Sequence, residues 1–294
     1  MVCTLIIDCH NHADWCGYNL KRTIENMNQY QINKTWILTW ECPASEFSPT
    51  YIQRVNLDSY RDKGPICLER CLHYYESYPD RFILGYACDP RRPDAIDNMN
   101  SAILHYGVKI YGELKLRMML DDCDAIRMYR FCGEKGLPVT VHIDYEFPSG
   151  HKYPRPNYWY GGGMDAFERA IAKCPDTHFL GHAPGFWAHI SGDDFYLKGA
   201  YPKDMPVVPG GQLIRMLDKY PNLYCDMSAG SGLCALTRDP KFARQFLIEY
   251  ADRLLYGRDY FDNDLQTFLS MLNLPQDVLD KIYYKNALKL IHAL

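Results

Sequence analysis

Eight times along this chain a short apolar run gives way to a stretch long enough for a helix. The runs fall at 5–10, 35–40, 81–87, 111–116, 138–143, 177–183, 223–228 and 254–260. Helical patterning fills intervals such as 93–106, 121–133, 164–172 and 211–219, and Gly107, Gly136-Leu137-Pro138 and Pro221-Asn222 punctuate the junctions. Strand and helix in strict alternation call for parallel strands joined by crossover helices. Eight such units predict an α/β fold closed as a (β/α)8 TIM barrel. With 294 residues the chain suits one barrel domain over 1–294, since such barrels run to about 250 residues and more. An open doubly wound sheet would want a glycine-rich phosphate loop after the first strand. None is there, and Gly161-Gly162-Gly163 comes long after the fifth run.

Composition narrows the partners. Lys and Arg number 32 against 36 Asp and Glu, a net charge of −4 with no block of like charge. Nucleic acid and anionic membranes need clustered cations, so neither is expected as a partner. No run approaches about 18 apolar residues, so no membrane span is expected. The start, Met1-Val2-Cys3-Thr4-Leu5-Ile6-Ile7-Asp8, lacks the basic region of a secretory signal. A cytoplasmic location follows as the expectation. The 12 cysteines contain no C-x-x-C pair, Cys67 and Cys71 being the nearest, so they read as free thiols rather than a zinc ribbon or a redox site.

The chemistry gathers at strand ends. His10 and His12 close the first run and share a side in extended chain. On its own an H-x-H is a weak signal. But His142 ends the fifth run, His182 the sixth, and Asp259 follows the start of the eighth. In a barrel these ends converge on one mouth, where such enzymes build their sites. The connections 144–163 and 184–210 leave from the same mouth and are long enough to act as binding loops.

This ordered set resembles the amidohydrolase superfamily, in particular amidohydrolase family 2 with its aminocarboxymuconate-semialdehyde decarboxylase-like branch. Asn286-Ala287-Leu288-Lys289-Leu290 is similar to the closing element of that family. The resemblance implies a divalent metal, zinc first, with manganese or iron as alternatives, held by His10, His12, His142 and Asp259. An open position would remain for a water whose pKa falls toward about 7. It implies His182 and Asp259 as the proton-transfer groups, with Asp8 orienting His10. Relatives of this type are often dimers, so a homodimer fits the resemblance.

Strand four bears on the metal count. Glu113 and Lys115 share a face, and in binuclear members a carboxylated lysine on this strand bridges two metals. The branch points instead to one metal, with Glu113 and Lys115 lining the pocket. Lys152, Arg155 and Trp159 in the loop after strand five, and Trp187 after strand six, are the further expected substrate contacts, suited to a carboxylated or aromatic ligand. Arg258 stands where many relatives have Ser or Thr, and alternation turns it away from Asp259 toward a helix-facing ion pair.

The expected activity is metal-dependent hydrolysis of a small, carboxylated amide, ester or lactone. The alternative is non-oxidative decarboxylation of a small aromatic or enoic acid. A non-catalytic metal-binding barrel is the third reading. The partner expected is a small-molecule substrate.

Overall fold

The computed structural model describes residues 5–47, 51–55, 64–144, 160–197 and 205–291. Eight parallel strands alternate with helices: β1 (Ile7–Asn11), β2 (Lys34–Ile37), β3 (Phe82–Leu84), β4 (Tyr111–Leu114), β5 (Val139–His142), β6 (Phe179–His182), β7 (Leu223–Asp226) and β8 (Leu254–Leu255). The helices are α1 (Leu20–Gln29), α2 (Leu68–Ser77), α3 (Ala95–Tyr106), α4 (Cys123–Lys135), α5 (Gly163–Lys173), α6 (Pro184–Trp187), α7 (Gln212–Lys219), α8 (Ala229–Thr237), α9 (Pro240–Glu249), α10 (Asp264–Met271), α11 (Gln276–Asp280) and α12 (Asn286–Ile291).

Strand order is sequential, β1 to β3 and β4 to β8. Two seams join these runs. Gly85 bridges in parallel to Ile110, with Tyr86 N donating to Ile110 O at 2.9 Å. At the other edge Cys9 N donates to Tyr256 O at 2.9 Å, and Asp259 N to His10 O at 2.8 Å. The strands thereby close into a TIM barrel. Nearly every strand residue is buried, as parallel strands covered on both faces require. The helices end where expected: Gly107 and Gly136 take left-handed φ of 69° and 67° after α3 and α4, a conformation glycine adopts without strain.

Ile7, Cys9, Trp36, Leu38, Ile83, Ile110, Leu180, Tyr224 and Leu255 form one apolar cluster that fills the barrel, joined by Leu290 and Ile291 of α12. Two residues further along the same face come His182 and Asp226, at the mouth. His10 reaches that mouth by a different route. Strict alternation from Ile7 and Cys9 would turn it away, but the β1–β2 register shifts between Asp8 and Asn11. Such irregularities re-aim side chains beside active sites.

Strand eight is the main departure from expectation. The ladder stops at Leu255 rather than running through 254–260. Tyr256 N goes to Ile282 O at 2.9 Å, Arg258 N goes to the Asp8 carboxylate at 2.9 Å, and Asp259 has φ 56°. The ladder to β7 ends here, bonds to β1 continue, and left-handed geometry at Asp259 swings its side chain inward. Arg258 is buried: Nε meets Asp8 Oδ2 at 2.8 Å and Nη1 meets Asn26 Oδ1 of α1 at 2.7 Å. Asp8 also accepts from His10 N at 3.2 Å. No described helix is long and apolar enough to cross a membrane.

Candidate metal centre and active site

Three imidazoles at the mouth are each held by one ring nitrogen. His10 Nδ1 lies 2.6 Å from Asp226 Oδ2, His12 Nδ1 lies 2.8 Å from Leu38 O, and His182 Nδ1 lies 3.0 Å from Ser228 Oγ. A carboxylate and a carbonyl can only accept, so Nδ1 of His10 and of His12 carries a proton. In the neutral rings Nε2 is then a lone pair, and the two Nε2 atoms face each other at 3.3 Å. Two nitrogens so close must share a proton or a bound cation.

Carboxylates complete the enclosure. Glu113 Oε2 is 3.4 Å from His12 Nε2 and 3.9 Å from His10 Nε2. Asp259 Oδ1 is 3.5 Å and 3.9 Å from the same two atoms, and it is buried without a hydrogen-bond partner. Donor atoms of His10, His12 and Asp259 all lie within 4.8 Å of one another, as do those of His10, Glu113 and His182. Buried neutral imidazoles tied by their far nitrogens, with an orphaned carboxylate oxygen among them, fit a divalent ion well.

Without an ion, the electrostatics put a proton on His10 in its place. Burial alone would lower the pKa of His10, but Asp226, Glu113 and Asp259 outweigh it and hold the ring up to about 10. Burial would likewise raise Asp226, yet His10 and His182 hold it down to about 2. Asp259 moves the other way, raised by burial and by Glu113 against the pull of His10 and His12. His182 stays neutral well below its ordinary value, through burial and the neighbouring His10 and His142.

Because the ion-free site keeps a proton on His10, metal must displace it. Apparent metal affinity should therefore rise about tenfold per pH unit from about pH 6 to 8. Competition against a chelating dye at each pH measures this, and a flat profile would contradict it. Asp226→Asn should weaken metal binding about 10- to 100-fold by loosening His10. The same dye assay reads that loss, with unchanged affinity as the contrary result.

The expected site residues are distributed unevenly. His12, Glu113, Lys115, His142, His182 and Asp259 line one cavity of about 250 Å³ with Trp15, Trp40, Tyr51, Arg54, Asp144 and Tyr260. His142, expected as a metal ligand, lies beside the cluster: Nδ1 is 2.7 Å from Glu113 Oε1 and Nε2 is 3.4 Å from Asp144 Oδ1. Trp187, expected at the substrate, is absent from the cavity lining. It is buried behind β7, its indole donating to Asp226 O at 2.9 Å. Lys152, Arg155 and Trp159 lie outside the described residues.

Asp226, Tyr51 and Arg54 are among the contributors not anticipated. Asp226 ends β7 as His142 and His182 end their strands, and that position was the available signal. Tyr51 and Arg54 come from the β2–β3 connection, and nothing in their local sequence marks them.

A family model described as amidohydrolase matches residues 7–292. No curated protein matches the chain. Among solved structures, an uncharacterised TIM-barrel protein from Bordetella bronchiseptica is 18% identical with a TM-score of 0.62, covering 98% of each chain. A 5-carboxyvanillate decarboxylase from Sphingomonas paucimobilis is 11% identical with a TM-score of 0.63, covering 98% of this chain and 99% of its own. A probable 2-pyrone-4,6-dicarboxylic acid hydrolase from Acinetobacter baumannii is 11% identical with a TM-score of 0.58, at 98% and 99% coverage. At these identities the likeness shows the shared barrel.

Proposed function

The chain belongs to the amidohydrolase family, whose model spans residues 7–292, and on that footing we propose that it is a metal-dependent hydrolase of a small carboxylated amide, ester or lactone. The observation carrying this reading is Asp259. Its buried Oδ1 has no hydrogen-bond partner and faces the His10 and His12 nitrogens, while Oδ2 is 3.9 Å from His182 Nε2. A proton acceptor thus stands between the donor cluster and a neutral imidazole.

We assign the metal to His10, His12 and Asp259, with Glu113 as a further donor and His142 fixing the Glu113 carboxylate. Zinc suits imidazole and carboxylate donors, as manganese and iron do. The bound ion would supply Lewis-acid polarisation of an acyl oxygen and acidify water into the neutral range.

The chain's own groups do the rest. Asp259, with a pKa raised by burial, takes the proton of the attacking water at Oδ2, the oxygen turned to His182 rather than to His10 and His12. Oδ2 stands 3.9 Å from His182 Nε2, so relay of that proton toward the leaving group runs through a bridging water or a small closure of the gap. Ser228 Oγ, 3.0 Å from His182 Nδ1, and Ser228 N, donating to Asp226 Oδ1 at 2.9 Å, hold the ring's orientation. Trp15 Nε1 donates to Asp259 O at 2.7 Å and fixes the turn that presents the carboxylate.

A second reading, decarboxylation of a small aromatic acid, draws support from the ring-lined wall of Trp15, Trp40, Tyr51 and Tyr260, and from the 5-carboxyvanillate decarboxylase among the structural neighbours. Product analysis separates the two. Metal-loaded protein is offered panels of carboxylated lactones, esters and amides, and of hydroxylated aromatic acids. Acid release from the first panel supports hydrolysis. Carbon dioxide from the second, with the first inert, replaces it by decarboxylation. The described cysteines are all unbridged, which supports placing the protein in a reducing cytoplasm.

A further inference from the structure

A second cavity, of about 240 Å³, lies between the chain that follows β8 and the helices α8 and α10. It shares Ala229 and Tyr260 with the wall of the catalytic cavity but contains none of the metal donors. Two of its lining residues carry buried polar atoms left without a hydrogen-bond partner among the described residues: Arg258 Nη2 and Tyr256 Oη. Arg258 is 5% exposed and Tyr256 0%. The other two guanidinium nitrogens of Arg258 are committed to Asp8 and Asn26, so the third is the one left over. Burial pushes the Tyr256 phenol well above its ordinary value against the pull of Arg258, so the hydroxyl keeps its proton and can donate.

Buried donors are nearly always paired, so two orphans in one wall point to an acceptor that the fold itself does not supply. One or two waters would serve both atoms, yet a water takes up only about 30 Å³ in the liquid, and this cavity is far larger. Its wall also includes Met227, Leu233 and Leu265, which offer water no hydrogen bond. The charges narrow the occupant further. Arg258 is matched by Asp8, while Asp262 and Asp264 are exposed at the rim and have no ion pair among the described residues. A plain anion would be repelled at the rim, and a plain amine would meet the guanidinium inside. A molecule carrying a carboxylate and an ammonium together suits both ends, with its apolar part on the Met227, Leu233 and Leu265 wall.

We propose that this cavity is a second ligand site, for a zwitterion of the apolar α-amino acid type: the carboxylate accepts from Arg258 Nη2 and Tyr256 Oη, the ammonium turns to Asp262 and Asp264, and the side chain packs against Leu233 and Leu265. A guanidinium nitrogen and a phenol both suit a carboxylate oxygen, and charge-assisted hydrogen bonds of this kind are the strong ones. The site stands apart from the reaction proposed above and does not depend on it.

Calorimetric titration of the full-length zinc-loaded protein with L-leucine, 4-methylpentanoate and 3-methylbutylamine tests it. L-Leucine should bind with a Kd below about 1 mM, and the two analogues, each lacking one of its charges, about tenfold more weakly or less. Metal-stripped protein should bind L-leucine equally well, because no metal donor lines the cavity. Tyr256→Phe should weaken L-leucine binding about tenfold with the thermal midpoint near wild type. Asp262→Asn should narrow the preference for L-leucine over 4-methylpentanoate. Leu233→Trp, which fills the cavity, should abolish binding in a protein that still melts cooperatively. Absence of L-leucine binding to the wild type would leave the cavity to water and overturn the site. So would an affinity lost with the metal, equal affinity for L-leucine and 4-methylpentanoate, or wild-type affinity in either Tyr256→Phe or Leu233→Trp. If Leu233→Trp loses its cooperative melt, Tyr256→Phe decides alone: weakened binding supports the site, and unchanged affinity overturns it.

Discussion

His182→Ala is expected to lower turnover about 10²- to 10⁴-fold, the range a positioned general acid or base supplies, while the protein retains its metal. His182 belongs to the donor group with His10 and Glu113 but not to that of His10, His12 and Asp259, lying 3.8 Å from Glu113 Oε1 and 3.9 Å from Asp259 Oδ2. His10, His12, Glu113 and Asp259 are still there to hold an ion. Ser228→Ala should cost much less, because Ser228 orients the ring without moving a proton itself. Turnover on the substrate found by product analysis, alongside elemental metal content, reads both. Unchanged turnover in a fully metallated His182→Ala protein would refute its role in proton transfer.

The second large effect concerns stability. Arg258→Met leaves the Asp8 carboxylate buried and without its cation, a loss of about 3–5 kcal/mol for a broken buried pair. At roughly 2–4 °C per kcal/mol for proteins approaching this size, the thermal midpoint should fall by roughly 6–20 °C. Adding Asp8→Asn to that variant should recover part of the loss, since the amide oxygen can still accept from a backbone N–H and no buried charge remains. Calorimetric melts of the metal-free proteins compare the three. A single-variant change within 1 °C would show that the pair contributes little.

These expectations depend on features that differ in how openly the sequence displays them. His10, His12, His142, His182 and Asp259 are legible because each stands at or just past the end of an apolar run, and barrel geometry brings such ends together. The same logic applied to Asp226 would have found it. Its run, Leu223-Tyr224-Cys225-Asp226, ends as theirs do, but an aspartate there also looks like a turn residue. Strand alternation correctly paired Glu113 with Lys115. It could not show that one joins the imidazoles and the other the rings of Trp40 and Tyr51, because that division depends on what faces them from other strands.

Arg54 and Tyr51 were out of reach for another reason. They reach the cavity through the path of a long connection, and loop paths are set by tertiary contacts. The shortness of β8 was equally hidden. Leu254–Tyr260 has strand-like letters, and only the structure shows the ladder to β7 ending at Leu255 while the Asp8 carboxylate takes Arg258 N.

The bonds that finish the mouth run between opposite ends of the chain: His10 to Asp226 across 216 residues, and Asp8 to Arg258 across 250. During synthesis at about 5–20 residues per second, β1 must then wait roughly 10–50 s for its last partners to emerge. Throughout that interval β1 has β2 on one edge and Leu38 O for His12, but its other edge, the His10 ring and the Asp8 carboxylate lack Tyr256, Asp226 and Arg258. A nascent chain of this kind is a natural client for a chaperone that shields an unpaired strand, and no fragment ending before Arg258 can carry the completed centre.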